Sequence, residues 1–191
     1  MNEKILNEKE SLELISQMIL RTKERFEGGS SKPFLVFGYT TFILSLLIYF
    51  LILKTGNYYF HLLWFLIPII GYSGMRISTQ KLESKSTNQI VKIIKTVWLV
   101  NGIACVLIAF GAFFVRIPVL SIMVMLMGIC TTITGIVINS KLITVSGIFG
   151  ILSSAALFMI NGNEKILVFG FVFLFMMIIP GHILSKIKRN V

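Results

Sequence analysis

Residues 117–160 read IPVLSIMVMLMGICTTITGIVINSKLITVSGIFGILSSAALFMI, two long apolar runs separated by the polar triplet Asn139-Ser140-Lys141. Each run has the about 20 residues that an α-helix needs to cross the hydrocarbon core of a bilayer. Lipid offers no hydrogen-bond partners, so a spanning segment must satisfy its own backbone, and a helix does so. This stretch therefore predicts a helical hairpin in a membrane.

Four further apolar runs flank this hairpin, and together they predict an all-α membrane protein with six transmembrane helices, arranged as three helical hairpins. The predicted spans cover about residues 34–53, 58–75, 97–115, 117–138, 142–160 and 166–184. Composition agrees, because 55% of the 191 residues are hydrophobic and 14% are charged, against about 25% charged in soluble domains. A cytoplasmic segment (residues 1–32) is predicted before the bundle (33–185), and a basic tail (186–191) after it.

The distribution of Lys and Arg predicts that both chain ends face the cytoplasm. Segments on the predicted inner side hold 15 basic residues, and those on the outer side hold three, namely Lys54, Arg116 and Lys165. Such an excess is typical of cytoplasmic loops. Topology thus explains the net charge of +10, and nucleic acid is not predicted as a partner. Five of the inner cations are predicted to contact the headgroups of membrane lipids: Lys92, Lys95, Lys186, Lys188 and Arg189.

Residues 1–27 are predicted to form a cytoplasmic amphipathic helix. Asn7 followed by Glu10 is typical of a helix start, and Gly28-Gly29 of a helix end. One apolar face is predicted to bind a partner, through Leu12, Ile15, Ile19 and Phe26. Three partners are open: a dimer mate or the protein's own loops, a separate cytoplasmic regulatory protein, and the membrane surface. The acidic lean of the polar face disfavours the last, because surface helices usually carry Lys and Arg.

The predicted spans hold no carboxylate. The chain has no Asp, and its Glu residues beyond position 27 are Glu83 and Glu164, both in predicted loops. Because intramembrane charges mark ion pathways and proton relays, this composition argues against a proton-coupled transporter or a carboxylate-ligated metal enzyme. His61 and His182 are predicted at opposite faces of the membrane, too far apart to share a metal. No catalytic or nucleotide-binding motif is found, so neither an enzyme nor a cofactor is predicted.

Hydroxyl, amide and small side chains are the polar groups that remain in the spans. They recur at four-residue spacing, as in the series Ser146, Gly150 and Ser154, which is typical of closely packed membrane helices. A second interpretation is a shallow cavity open to the cytoplasm, which would suit a small-molecule or lipid transporter subunit. Its candidate lining lies in the predicted inner halves of the spans: Asn101, Thr131, Thr134, Asn139 and Thr144.

The stretch ESLELISQMI from Glu10 to Ile19, followed by Pro33-Phe34 and Gly38-Tyr39, resembles a group of uncharacterised multi-pass membrane proteins from Bacteroidota. The resemblance implies a bacterial inner membrane and a six-span layout, and it brings no activity and no functional residues. The predicted function is therefore a non-enzymatic regulatory or assembly component whose N-terminal helix contacts a dimer mate or a regulatory protein. The transporter subunit is the alternative.

Overall fold

The computed structural model describes residues 12–17, 31–79 and 89–187, and all regular structure in these ranges is helical. This helical structure confirms the all-α class. Within the described residues, five helices are long and apolar enough to cross a membrane, which is consistent with a multi-pass membrane protein. Beyond the short helical segment at residues 12–17, the elements are α1 (Ser31–Thr55), a 3-10 helix (Tyr58–Phe65), α2 (Leu66–Thr79), α3 (Gln89–Gly111), α4 (Val119–Val137), α5 (Lys141–Met159), α6 (Glu164–Phe173), a π-helical turn (Leu174–Ile178) and α7 (Ile179–Ile187).

The region predicted as the second span is helical, but it begins as a narrower helix. Asn57 caps its start, since the Asn57 Oδ1 accepts a hydrogen bond from the Tyr59 N–H at 2.9 Å. A 3-10 helix follows and leads into α2, where Pro68 lies in the first turn. Proline fits a first turn because its fixed φ suits the helix and no N–H is needed there. Neither part alone has the length of a full span, so this region is not among the five crossing helices.

Helix α3 ends at Gly111, earlier than the predicted end of its span at Val115. After Gly111 the helical bonding pattern tightens, and the Phe114 N–H donates to the Gly111 carbonyl at 3.0 Å. Arg116 and Pro118 follow, and a proline disfavours helical backbone at the residue before it. The third and fourth predicted spans are therefore separate helices.

The last predicted span contains a π-helical turn just before Pro180. Proline has no N–H and cannot donate to the carbonyl four residues earlier, that of Met176. A wider turn at Leu174–Ile178 accommodates this gap without ending the helix. Helix α6, the π-helical turn and α7 therefore form one apolar segment, Glu164–Lys186, that is long enough to cross a membrane.

Helices α4 and α5 form the most extensive helix pair of the described bundle, and their backbones are in contact. A Cβ atom added to Gly128 would lie 2.7 Å from the backbone nitrogen of Ile151 on α5. A Cβ atom added to Gly147 would collide with the backbone nitrogen and the Oγ1 of Thr132 on α4. Two membrane helices approach this closely only where side chains are absent.

The connection between α4 and α5 is a short turn with a left-handed residue, Asn139, at φ 54°. The Ser140 N–H donates to the Gly135 carbonyl at 2.9 Å, and the Asn139 N–H donates to the Ile136 carbonyl at 3.1 Å. These bonds satisfy carbonyl groups at the end of α4 that have no helical partner. Asparagine tolerates the left-handed conformation better than most residues, so α5 can return directly beside α4.

The other helices assemble around this α4–α5 pair. The fully buried Met176 of the π-helical turn packs its sulfur against Gly150 of α5. On the other side of α6, a Cβ atom added to Gly170 would lie 2.8 Å from the Cβ of Ser45, so α1 packs closely there. Helix α2 packs on α1, and α3 packs mainly on α4. Helix α3 is the least buried of the five crossing helices.

We expect Gly147→Ala to destabilise the bundle, because the new methyl group forces the α4 and α5 backbones apart. Overpacking of this kind costs about 1–3 kcal/mol. Thermal unfolding of the purified protein in detergent should show a melting temperature several degrees lower. Gly102→Ala on α3 is the matched control, since a Cβ atom there meets nothing within 4 Å. Equal melting temperatures for the two variants would contradict the backbone contact.

Candidate functional site

The predicted partner-binding helix is described over residues 12–17, which are helical. Leu12 and Ile15 are 67% and 52% exposed, and their three-residue spacing places them on one face. Ile19, Phe26 and the predicted ends of this helix lie outside the described residues. The part of the apolar face that the structure describes is therefore uncovered.

Polar side chains join α3 to α4 at two levels of these helices. The Trp98 Nε1–H donates to the Thr134 Oγ1 at 3.1 Å, and the Thr134 hydroxyl donates in turn to the Cys130 carbonyl at 2.8 Å. The Asn101 Nδ2 donates to the Met127 sulfur at 3.2 Å. An indole N–H in an apolar setting needs such a partner, so these bonds fix both the position and the rotation of α3.

The five residues of the predicted cavity occupy three different places. Asn101 and Thr134 belong to the α3–α4 contact. Thr131 is fully buried in α4, and its hydroxyl has no hydrogen-bond partner among the described residues. Asn139 is exposed in the α4–α5 turn, and Thr144 donates to the Ser140 carbonyl at 3.0 Å at the start of α5. Asn101, Thr134 and Thr144 thus use their polar groups in hydrogen bonds within a helix or between helices. The cavity open to the cytoplasm stays a prediction.

Two of the five predicted headgroup cations, Lys92 and Lys186, have described side chains, and both are exposed. Lys92 lies in the first turn of α3, and Lys186 in the last turn of α7. The antiparallel order of the helices places both at the same end of the bundle as the α4–α5 turn with Lys141. The side chains of the other three cations lie outside the described set.

The two histidines lie at opposite ends of the bundle, and each contacts an aromatic side chain. The Trp64 Nε1–H donates to the His61 Nδ1 at 3.2 Å. The Tyr39 hydroxyl lies 2.7 Å from the His182 Nε2, and the two rings meet edge to face with centroids 5.9 Å apart. This second pair connects α1 to α7 across 143 positions of sequence.

The chemistry that the described polar groups support is hydrogen bonding. Cys105 and Cys130 are free thiols, one half-buried and one buried. Within residues 12–17, 31–79 and 89–187, no three His, Cys, Asp or Glu side chains are grouped so that they could hold a metal ion.

Sequence reasoning did not identify Trp98 or Tyr39 as contact residues. For Trp98 the sequence did carry a signal, because an indole N–H inside a predicted span needs a hydrogen-bond partner.

Comparison with known proteins gives no match, neither to a protein-family model, nor to a curated protein, nor to a solved structure.

Proposed function

We propose that this protein is a six-span component of a bacterial inner membrane that has a regulatory or assembly role and is not an enzyme. In this proposal its cytoplasmic N-terminal helix binds a dimer mate or a cytoplasmic protein, and the six-helix body holds that helix at the membrane. The exposure of Leu12 and Ile15 on one face of the described helix is the observation that carries it.

The length of the second helical region supports six crossings. The 3-10 helix at Tyr58–Phe65 and α2 at Leu66–Thr79 follow each other without a break. At rises of about 2.0 Å and 1.5 Å per residue, the two together are about 37 Å long. A hydrocarbon core is about 30 Å thick, so the combined segment is long enough to cross it.

The positions of the cations support an orientation with both chain ends inside. Lys54 at the end of α1, Arg116 after α3 and Lys165 at the start of α6 belong to one end of the antiparallel bundle. The other end carries Lys141 and Lys186, and by sequence it also receives the six Lys and Arg residues of the N-terminal segment and the basic tail. Since cytoplasmic loops carry the excess of Lys and Arg, the second end faces the cytoplasm in this proposal.

Single-cysteine labelling in spheroplasts tests the number of crossings and the orientation. In a Cys105→Ala/Cys130→Ala background, Arg116→Cys and Asn161→Cys should react with a membrane-impermeant maleimide from outside. Lys141→Cys and Thr79→Cys should react only after the membrane is permeabilised, because each follows an even number of crossings from a cytoplasmic N-terminus in the proposed layout. Labelling of Thr79→Cys from outside would mean that residues 58–79 do not cross, and would contradict six spans.

The chemistry of the N-terminal helix favours a protein surface as its partner. An exposed pair of branched apolar side chains at three-residue spacing is the pattern by which amphipathic helices enter apolar grooves. Glu13 and Leu14 lie between them in the sequence, and Glu10, Glu13 and Glu24 are predicted to lie on the opposite face. A helix whose polar face leans acidic gains little from an anionic lipid surface, because such a surface attracts Lys and Arg.

Substitution of the apolar face tests this part of the proposal. The double variant Leu12→Glu/Ile15→Glu should lose at least tenfold of any specifically bound protein when it is purified from native membranes and compared with wild type by quantitative mass spectrometry. If the partner is a second copy, the loss should appear instead as a shift from dimer to monomer in chemical crosslinking.

Gln17→Glu is the matched control, because it also adds a carboxylate to an exposed position of the described helix. It should keep both the bound protein and the dimer. If wild type, control and double variant are all monomeric and purify with the same proteins, the apolar face has no protein partner and the proposed function is wrong.

A further inference from the structure

A shallow groove of about 440 Å³ runs along the outer surface of α1. It extends from Leu35 to Leu44 and is bordered on its other side by Ile70 of α2. Its surface is almost wholly apolar, and Ile43 and Ile70 in its walls are exposed. This part of α1 is about 14 Å long, close to half of a hydrocarbon core of about 30 Å. The groove therefore has the length of one leaflet.

One end of the groove carries the hydrogen-bonded pair Tyr39 and His182. Gly181 packs against Leu35, where an added Cβ atom would lie 2.9 Å from the Leu35 Cδ2, so His182 lies at the level of the first turns of α1. Tyr39 lines the groove and reaches the His182 Nε2 with its hydroxyl at 2.7 Å. A tyrosine hydroxyl and an imidazole have more hydrogen-bonding capacity than one shared bond uses. Both side chains are exposed, so that capacity is open to a ligand in the groove.

A lysine lies one helical turn beyond this pair. Lys186 follows His182 by one turn of α7 and therefore lies on the same side of that helix. In the described part of the membrane bundle the only carboxylate is Glu164, which begins α6 at the opposite end, so Lys186 has no acidic partner there. A lysine ammonium beside hydroxyl and imidazole groups suits a phosphate oxygen.

We infer that this groove binds one anionic phospholipid of the cytoplasmic leaflet. An acyl chain lies along Leu35–Leu44, and the phosphate and glycerol groups lie beside Tyr39, His182 and Lys186. An apolar channel of leaflet length with a polar, cationic end matches the two parts of this molecule. A zwitterionic lipid fits less well, because its own ammonium group would face Lys186. The leaflet follows from the proposed orientation, but the site itself does not depend on the N-terminal helix or its partner.

Lipid titration of the delipidated full-length protein in detergent tests the inference, with phosphatidylglycerol as the probe and phosphatidylethanolamine as the comparison. Native mass spectrometry should show one phosphatidylglycerol bound at least fivefold more tightly than the first phosphatidylethanolamine. The same lipid should raise the melting temperature, because a ligand that binds only the folded state stabilises it. Equal binding of the two lipids would overturn the inference.

Three variants locate the lipid. Lys186→Gln should remove most of the preference for phosphatidylglycerol, and Tyr39→Phe should weaken binding about threefold. Ile43→Trp fills the apolar groove and should abolish the tight site for both lipids. Lys141→Gln is the control, since Lys141 is also exposed at the same end of the bundle but begins α5, whereas Lys186 lies one turn from His182 on α7.

Each variant is first checked for an unchanged melting temperature without lipid. If Lys186→Gln and Lys141→Gln reduce binding equally, the lipid responds only to net charge and the site is wrong. If Ile43→Trp binds phosphatidylglycerol as tightly as wild type, the acyl chain does not occupy the groove, which also overturns the inference.

Discussion

The contact between the backbones of α4 and α5 is the interaction on which the rest of the bundle depends. In lipid the hydrophobic effect contributes little to helix association. Close van der Waals packing must therefore hold the helices together. Gly128 and Gly147 allow it, because an added Cβ atom at either position would meet backbone atoms of the facing helix. The short turn at Asn139 sets the two helices antiparallel and in register. Together these features make α4 and α5 one closely packed pair.

The α4–α5 pair positions most of the other helices through a series of contacts. Met176 packs against Gly150 and holds the π-helical turn, and the helix that contains this turn packs closely on α1 through Gly170. Because Pro180 and Gly181 follow the turn, α7 passes beside the first turns of α1, and His182 meets Tyr39. The contact between Tyr39 and His182 thus depends on the path of the last helix past α1. Helix α3 does not take part in this series of contacts, and polar side chains join it to α4.

Much of this architecture was predictable from the sequence, because long apolar runs have few alternatives to helix in a membrane. The recurrence of small residues at four-residue spacing indicated the close packing of α4 and α5, but residues with the same spacing in α3 lie on the least buried of the five long helices. Three features were not predictable. The 3-10 start of the second predicted span and the early end of α3 depend on local hydrogen bonds that hydropathy does not register. The Tyr39–His182 pair depends on tertiary contact between distant helices, for which one sequence carries no signal.

The most direct test of this account is to measure the distance between α4 and α5 at the glycines. Proton-detected solid-state NMR of the isotope-labelled protein in lipid bilayers can detect contacts between the α-protons of Gly147 and the amide group of Thr132. The account predicts strong cross-peaks between these groups, since their backbones are in direct contact. If the helices show their own sequential contacts and these cross-peaks are absent, the two backbones do not touch, and the central claim is wrong.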